Sequence, residues 1–250
     1  QAYFFRDREY CFGLIERARK AGYDTLMVTV DLPVGGKRER DFRNDMSIPF
    51  LSILQKGSPQ VDLASTKCID GAKQGDIFNT VTGEMYSGKA GVIVIPCGFK
   101  SSKVEWVSRD AGGGLVGHHS ESDPILKQCT QNQRGQLVTP NGNLIIDTSY
   151  HFVVMVPESG IPEWAVVAMS STQRKKSRMW NTIMKKIVIK TSSGRMFNPP
   201  SFSHMYKLTT IGESKDNFTW FGWTITQAGP VQDAELYRAA KEFCRLVVEG

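Results

Sequence analysis

Residues 144–156, Leu-Ile-Ile-Asp-Thr-Ser-Tyr-His-Phe-Val-Val-Met-Val, constrain the fold more than any other stretch. They are rich in β-branched and aromatic side chains and contain neither Gly nor Pro, so they read as one long strand. Such a strand needs neighbours, because its amides and carbonyls must find partners. The chain supplies them. Short β-branched runs at 77–81, 92–96 and 104–107 are separated by Gly-containing turns. A turn cluster at 157–162 leads into an apolar run at 164–169, and 205–211 with 218–227 read as a late strand pair. This spacing predicts a mainly antiparallel sheet, either an oligonucleotide-binding-like (OB-like) barrel or a sandwich, and periodicity does not choose between them.

Two helices interrupt the strands, which makes the class α+β. Residues 172–186 place Met179, Trp180 and Ile183 at helical spacing, with Ile187 next in the series just past the end. Residues 233–248 carry Asp233 as a cap and Leu236, Ala240, Phe243 and Val247 along one face.

The first of these helices lies in a stretch of unusual charge. From Ala165 to Gly212 there is no Asp or Glu, yet Arg174, Lys175, Lys176, Arg178, Lys185, Lys186, Lys190, Arg195 and Lys207 all occur there. The whole chain is +6, so the remainder is −3 (22 Lys+Arg against 25 Asp+Glu). Trp180, Phe197, Phe202 and Tyr206 are interleaved with these cations, and Trp220 and Trp223 follow. Cations with aromatics and without carboxylates suit a polyanion that offers flat faces for stacking, namely single-stranded nucleic acid. The candidate phosphate contacts are Arg174, Lys175, Lys176, Arg178, Lys185, Lys186, Lys190 and Arg195. The candidate stacking residues are Trp180, Phe202, Trp220 and Trp223, with Trp180 weakened by its place on the apolar side of the helix. With no base-edge reader in the sequence, binding would be sequence-tolerant.

Other motifs carry less. Gly112-Gly-Gly-Leu-Val-Gly117 satisfies a dinucleotide-binding pattern literally, but His118-His-Ser-Glu-Ser-Asp-Pro after it does not open a helix, so a loop is expected. His118, His119, Glu121 and Asp123 lack metal-ligand spacing, and no metal is expected. The five cysteines are dispersed without a C-x-x-C pair, which suggests reduced thiols in a cytoplasmic protein. No apolar run approaches the ~20 residues of a membrane span. The chain starts without Met and reads as an internal fragment.

Residues 6–21 read as an amphipathic helix and 25–30 as a buried strand followed by a polar loop, one unit of an α/β barrel. Residues 21–44, Ala-Gly-Tyr-Asp-Thr-Leu-Met-Val-Thr-Val-Asp-Leu-Pro-Val-Gly-Gly-Lys-Arg-Glu-Arg-Asp-Phe-Arg-Asn, resemble the fourth strand and loop of FMN-dependent α-hydroxy-acid dehydrogenases, mandelate dehydrogenase in particular. Gln1-Ala-Tyr3 resembles the Gln-x-Tyr of that family's preceding strand. The resemblance implies that Gln1 and Thr29 touch flavin, and that Tyr3 and Arg38 face the substrate carboxylate. The family's flavin-side Lys and its Ser-Asn-His-Gly-Gly-Arg base motif do not follow. An arginine clamp without its base takes no proton from a hydroxyl, so residues 1–45 are expected to be a non-catalytic fragment.

From residue 46 the resemblance changes. Met46-Ser-Ile-Pro-Phe-Leu-Ser-Ile-Leu-Gln-Lys-Gly-Ser-Pro-Gln60, Gly75-Asp-Ile-Phe-Asn-Thr-Val-Thr-Gly-Glu84, residues 103–118 and Pro199-Pro-Ser-Phe are similar in order and spacing to a family of tailed-bacteriophage proteins found among replication and recombination genes. Some members are labelled single-stranded-DNA-binding. The resemblance implies DNA binding in the cytoplasm of an infected bacterium, without cofactor or catalysis, and leaves homo-oligomerisation open. The alternatives are an FMN-dependent oxidoreductase fragment and a phage structural or assembly protein. Two parts are therefore expected, 1–45 and 46–250.

Overall fold

A computed structural model describes residues 52–56, 71–108, 111–158, 160–215 and 218–249, besides Lys20. The expected helix at 6–21 and strand at 25–30 lie outside the described residues, as do Gln1, Tyr3, Thr29 and Arg38.

The 144–156 segment is the spine, β8 (Leu144–Val156). It pairs antiparallel along almost its whole length with β4 (Val92–Trp106). Its other edge carries β9 (Glu163–Ser170) and, near its start, the short β7 (Leu137–Val138), which pairs with β6 (Thr130–Gln131). Beyond β9 come β1 (Ser52–Lys56, parallel to β9), β2 (Ile77–Asn79) and β3 (Met85–Tyr86). On the far edge of β4 lie β5 (Leu115–His119) and β12 (His204–Lys215), and β12 pairs with β13 (Phe218–Pro230). The α+β, mainly antiparallel expectation holds.

One difference is instructive. The runs at 92–96 and 104–107 are not separate strands but the two ends of β4. Lys100-Ser-Ser-Lys looks like a break because it is polar, yet Lys100, Ser101, Ser102 and Lys103 each pair with β8. A bulge at Pro96–Gly98 accommodates the proline, which cannot donate to the ladder.

The sheet curls into a half-barrel. The loop before β2 and the turn after β3 return to β12, where the Thr210 amide donates to the Gly88 carbonyl at 2.9 Å and its hydroxyl to the Gly75 carbonyl at 2.6 Å. The approach is so close that a Cβ at Gly88 would run into the Gly75 carbonyl.

Alternation along the strands then divides the side chains into two cores. Val92, Val94, Val153, Met155, Ala165, Val167, Tyr206, Leu208 and Trp223 form the concave core, covered by α1 (Arg174–Lys186) through Trp180, Ile183 and Met184. Ile95, Cys97, Phe152, Val154 and Trp164 face the other way, under α2 (Ala234–Glu249). Asp233 caps α2 as expected, accepting from the Glu235 and Leu236 amides at 2.8 Å each. The predicted stripe of Leu236, Ala240, Phe243 and Val247 is the face it buries. For α1 the inward face is shifted: Ser177 is buried and Met179 is exposed. No helix among the described residues is long and apolar enough to cross a membrane.

Candidate nucleic-acid interface

Helix α1 is held on the sheet by polar contacts as well as by Trp180. The buried His151 ring stacks on the Trp180 indole at 4.4 Å and shares a 2.8 Å hydrogen bond with Ser177. Burial pushes His151 down to about 3, so it is neutral. This Ser–His pair joins β8 to α1 and has no accessible face.

The first turn of α1 is tied down by carboxylates. Arg174 pairs with Asp147, which also holds Lys103. Lys176 pairs with Glu213 at 3.0 Å. Glu213 also accepts from the Trp220 indole at 2.7 Å and from the Gln173 amide at 3.3 Å. Burial pushes the Glu213 carboxyl up, but the hydrogen bonds from Lys176 and Trp220 and the Lys176 charge outweigh it, so it titrates below its ordinary value. Gln173 in turn accepts the Trp223 amide at 2.8 Å, which satisfies an edge group of β13. A Cβ at Gly222 would displace the Glu213 carboxylate from where it lies.

The outward face of α1 is different. Lys175, Arg178, Lys185 and Lys186 are exposed and have no carboxylate partner among the described residues. At 3.6 residues per turn they fall, with Thr182, within a sector of about 100° and extend along roughly 16 Å of helix. Lys185 and Lys186 complement the negative end of the helix dipole, but Lys175 opposes the positive end by about 0.3–1 kcal/mol. Stability gives no reason for Lys175 to be there.

Further cations follow the helix in the chain. Asn198 donates to the carbonyls of Lys185 and Ile187 at 2.9 Å each, fixing a separate hairpin of β10 (Ile189–Lys190) and β11 (Met196–Phe197) to the end of α1. Lys190 and Arg195 are exposed on it. Six of the eight predicted phosphate contacts are therefore exposed, and Arg174 and Lys176 are committed to carboxylates.

The stacking candidates fare differently. Trp180 and Trp223 are 0% and 1% exposed, so the expectation that they stack on bases is corrected: both rings fill the concave core. Trp220 is half-buried and tethered through its N–H to Glu213. Phe202 packs against Tyr237 of α2 at 5.3 Å, in the core on the other side of the sheet from α1. An aromatic of the same basic stretch that does reach the surface is Phe197, 41% exposed on β11. Its signal was the Ser-Ser-Gly turn between two short apolar pairs, which marks a hairpin.

The remaining motifs resolve as turns and clamps. Gly112, Gly113 and Gly114 all have positive φ and turn the chain into β5, where the dinucleotide pattern would need a helix. His119 is held between Glu105 and Asp123, each 2.8 Å from one ring nitrogen, and Asn143 donates to Glu105 at 2.7 Å. Glu121 turns to Lys103, and no group among the described residues is arranged to hold a metal ion. Cys97, Cys129 and Cys244 are free thiols; Cys11 and Cys68 lie outside the described residues.

Comparison with known proteins divides the chain unevenly. About a fifth of it matches flavin-type hydroxy-acid enzymes. It is 55% identical over 49 residues to a putative L-lactate dehydrogenase of Mycobacterium tuberculosis, 20% of this chain and 12% of that protein. It is 51% identical over 49 residues to an L-lactate oxidase of a Nostoc species, 20% of this chain and 13% of that protein. It is 45% identical over 59 residues to a 2-hydroxyacid oxidase of Dictyostelium discoideum, 22% of this chain and 15% of that protein. The chain thus spans about an eighth of the length of these relatives. No solved structure matches. A family profile described as "Pam3 phage gp34-like protein" matches residues 31–250, beginning inside the dehydrogenase-like stretch and taking in every described strand and both helices. The chain belongs to the Pam3 phage gp34-like family.

Proposed function

We propose that this phage-family protein binds single-stranded DNA with little sequence preference, as a non-catalytic participant in replication or recombination. The observation that carries the reading is the outward face of α1. Lys175, Arg178, Lys185 and Lys186 stand in one row with no carboxylate paired to them among the described residues. A row of that kind tracks a phosphodiester backbone, and each phosphate contact releases condensed counterions. The half-barrel is also compatible with an OB-like arrangement, in which a curved sheet supports the strand-binding surface.

No redox cofactor enters this reading. The residues that the dehydrogenase resemblance would assign to FMN, Gln1, Tyr3, Thr29 and Arg38, belong to a segment matching only an eighth of an enzyme of that type.

The test is a salt-series titration of the full chain with oligo-dT and with duplex DNA. Tight binding to oligo-dT at about 50 mM salt, weakening linearly in log–log form as salt rises, is expected. An affinity too weak to measure at that salt, or one that ignores salt, sinks the proposal. Rings or filaments that ignore DNA would favour an assembly role instead.

A further inference from the structure

The hairpin β10–β11 is the least explained element of the molecule. It forms its own two-stranded sheet, apart from the eleven-stranded one. A two-stranded hairpin alone in water is marginal, yet this one is braced at both ends. Asn198 ties its base to α1. At its tip the Thr191 amide donates to the Arg195 carbonyl at 2.9 Å, the Arg195 amide to the Thr191 hydroxyl at 3.1 Å, and Gly194 takes the turn with φ 84°.

What the braced arm displays is apolar. Val188, Ile189, Met196 and Phe197 are 48%, 38%, 63% and 41% exposed. Ile189 and Phe197 are cross-strand partners and share one face; Lys190 and Met196 share the other. Lys185, Lys186, Lys190 and Arg195 neighbour them along the chain, and no acidic residue lies within the arm or the helix that carries it. Exposed apolar side chains in a segment whose charges are all cationic are complementary to a ligand that is anionic along its backbone and flat and apolar in its bases.

We propose that β10–β11 is the base-contacting arm of the single-strand site. The Phe197 ring, with Ile189 beside it, stacks on unpaired bases, and Arg195, which alternation places on the same face, holds the flanking phosphate. This rests on the α1 reading above and adds to it a source of preference for single strands, because duplex bases are already stacked and their faces are closed.

Fluorescence-anisotropy titrations of the full chain carrying Phe197→Ala, Phe197→Tyr and Lys175→Ala/Arg178→Ala test it against oligo-dT and a matched duplex. The Phe197→Ala change is expected to weaken oligo-dT binding about 5- to 100-fold, with duplex binding and the salt slope unchanged. The Phe197→Tyr change, which keeps a stacking face, is expected to stay within about 2-fold of the unaltered protein. The Lys175→Ala/Arg178→Ala change lowers the salt slope instead. If the unaltered protein binds oligo-dT and Phe197→Ala binds it equally well, the arm is overturned and the α1 reading stands. A Phe197→Ala loss equal on single and double strands also overturns the arm. If the unaltered protein does not bind DNA, both fall together. Phe197 is exposed and makes no ring contact among the described residues, so none of these outcomes turns on whether the variant folds.

Discussion

The two helices solve the same packing problem and leave opposite surfaces. Each lays one apolar face on one side of the same sheet, α1 through Trp180 and α2 through Ala240 and Phe243. The exposed side of α2 neutralises itself: Arg245 pairs with Glu242 and Glu249 one turn away on either side. The exposed side of α1 has no such internal partner, and the only carboxylates that reach the helix among the described residues, Asp147 and Glu213, take up Arg174 and Lys176 at its base. Amphipathicity therefore says where a helix sits, and charge compensation says whether its outer face is merely solvated. In α1 the compensation stops where the face turns outward.

The comparison breaks most severely if the inward faces are not equivalent. Truncating either anchor, Trp180→Ala or Phe243→Ala, is expected to cost about 3–5 kcal/mol, because both side chains are fully buried and leave a cavity. Denaturant unfolding of each variant measures this. A Trp180→Ala variant of near-native stability would mean that α1 is a peripheral element and that its basic face has no fixed position.

The outward faces should differ in the reverse sense. Replacing Lys175, Arg178, Lys185 and Lys186 together by Ala is expected to change stability by no more than ~0.5 kcal/mol for any one of them. The same change should flatten the salt dependence of oligo-dT binding by about 0.7 for each phosphate no longer held, nearly 3 in all if each Lys or Arg holds one. Arg245→Ala on α2 should leave that binding as it was. Equal effects of the two sets would erase the distinction between the faces.

Much of this contrast was readable in the sequence, and the unread part has a physical reason. The core stripe of α2 follows from 3.6-residue spacing alone, and Asp233 from its place before the stripe. The long strand β8 and the pair β12–β13 follow from uninterrupted β-branched and aromatic runs. The exposure of aromatics does not follow. Trp180 and Trp223 are buried because the sheet curls around them, and curvature is set by contacts such as Thr210 with Gly75 that are far apart in the chain. Nor could spacing reveal that Arg174 and Lys176 are taken up by Asp147 and Glu213, carboxylates 27 and 37 residues distant. The basic row was visible as composition, but its division into compensated and bare cations was not.

Glu213 is the point where that division can be tested. Glu213→Gln keeps the shape and the acceptor for Trp220 but removes the charge facing Lys176. The expected loss is about 1–3 kcal/mol, from a charge-assisted hydrogen-bond set reduced to neutral ones. The folded carboxyl titrates below its ordinary value, so its contribution is present above about 4.5, the unfolded value, and is lost as pH falls through the folded one. The unaltered protein should therefore lose stability on acidification faster than Glu213→Gln does. Parallel acid profiles would show that Lys176 is as uncompensated as Lys175.

The smallest effect separates the helix-covered half of the sheet from the ribbon beyond it. There β4 and β5 pair past the cores, and His119 sits between the Glu105 and Asp123 carboxylates, with Lys103 and Glu121 as the other charges nearby. Burial alone would push the imidazole down, but hydrogen bonds and charge from Asp123 and Glu105 outweigh it and raise it above its ordinary 6.5. Both ring nitrogens can donate only when the ring is protonated. The clamp's stabilisation is therefore present in full below about 6.5 and is lost as pH rises through the raised folded value. Melting temperature should decline over that window, and His119→Gln should abolish the decline. Helix α1 contains no histidine, so oligo-dT affinity should stay flat over the same window. An affinity that tracked the His119 titration would place the binding surface on the β4–β5 ribbon and take it away from α1.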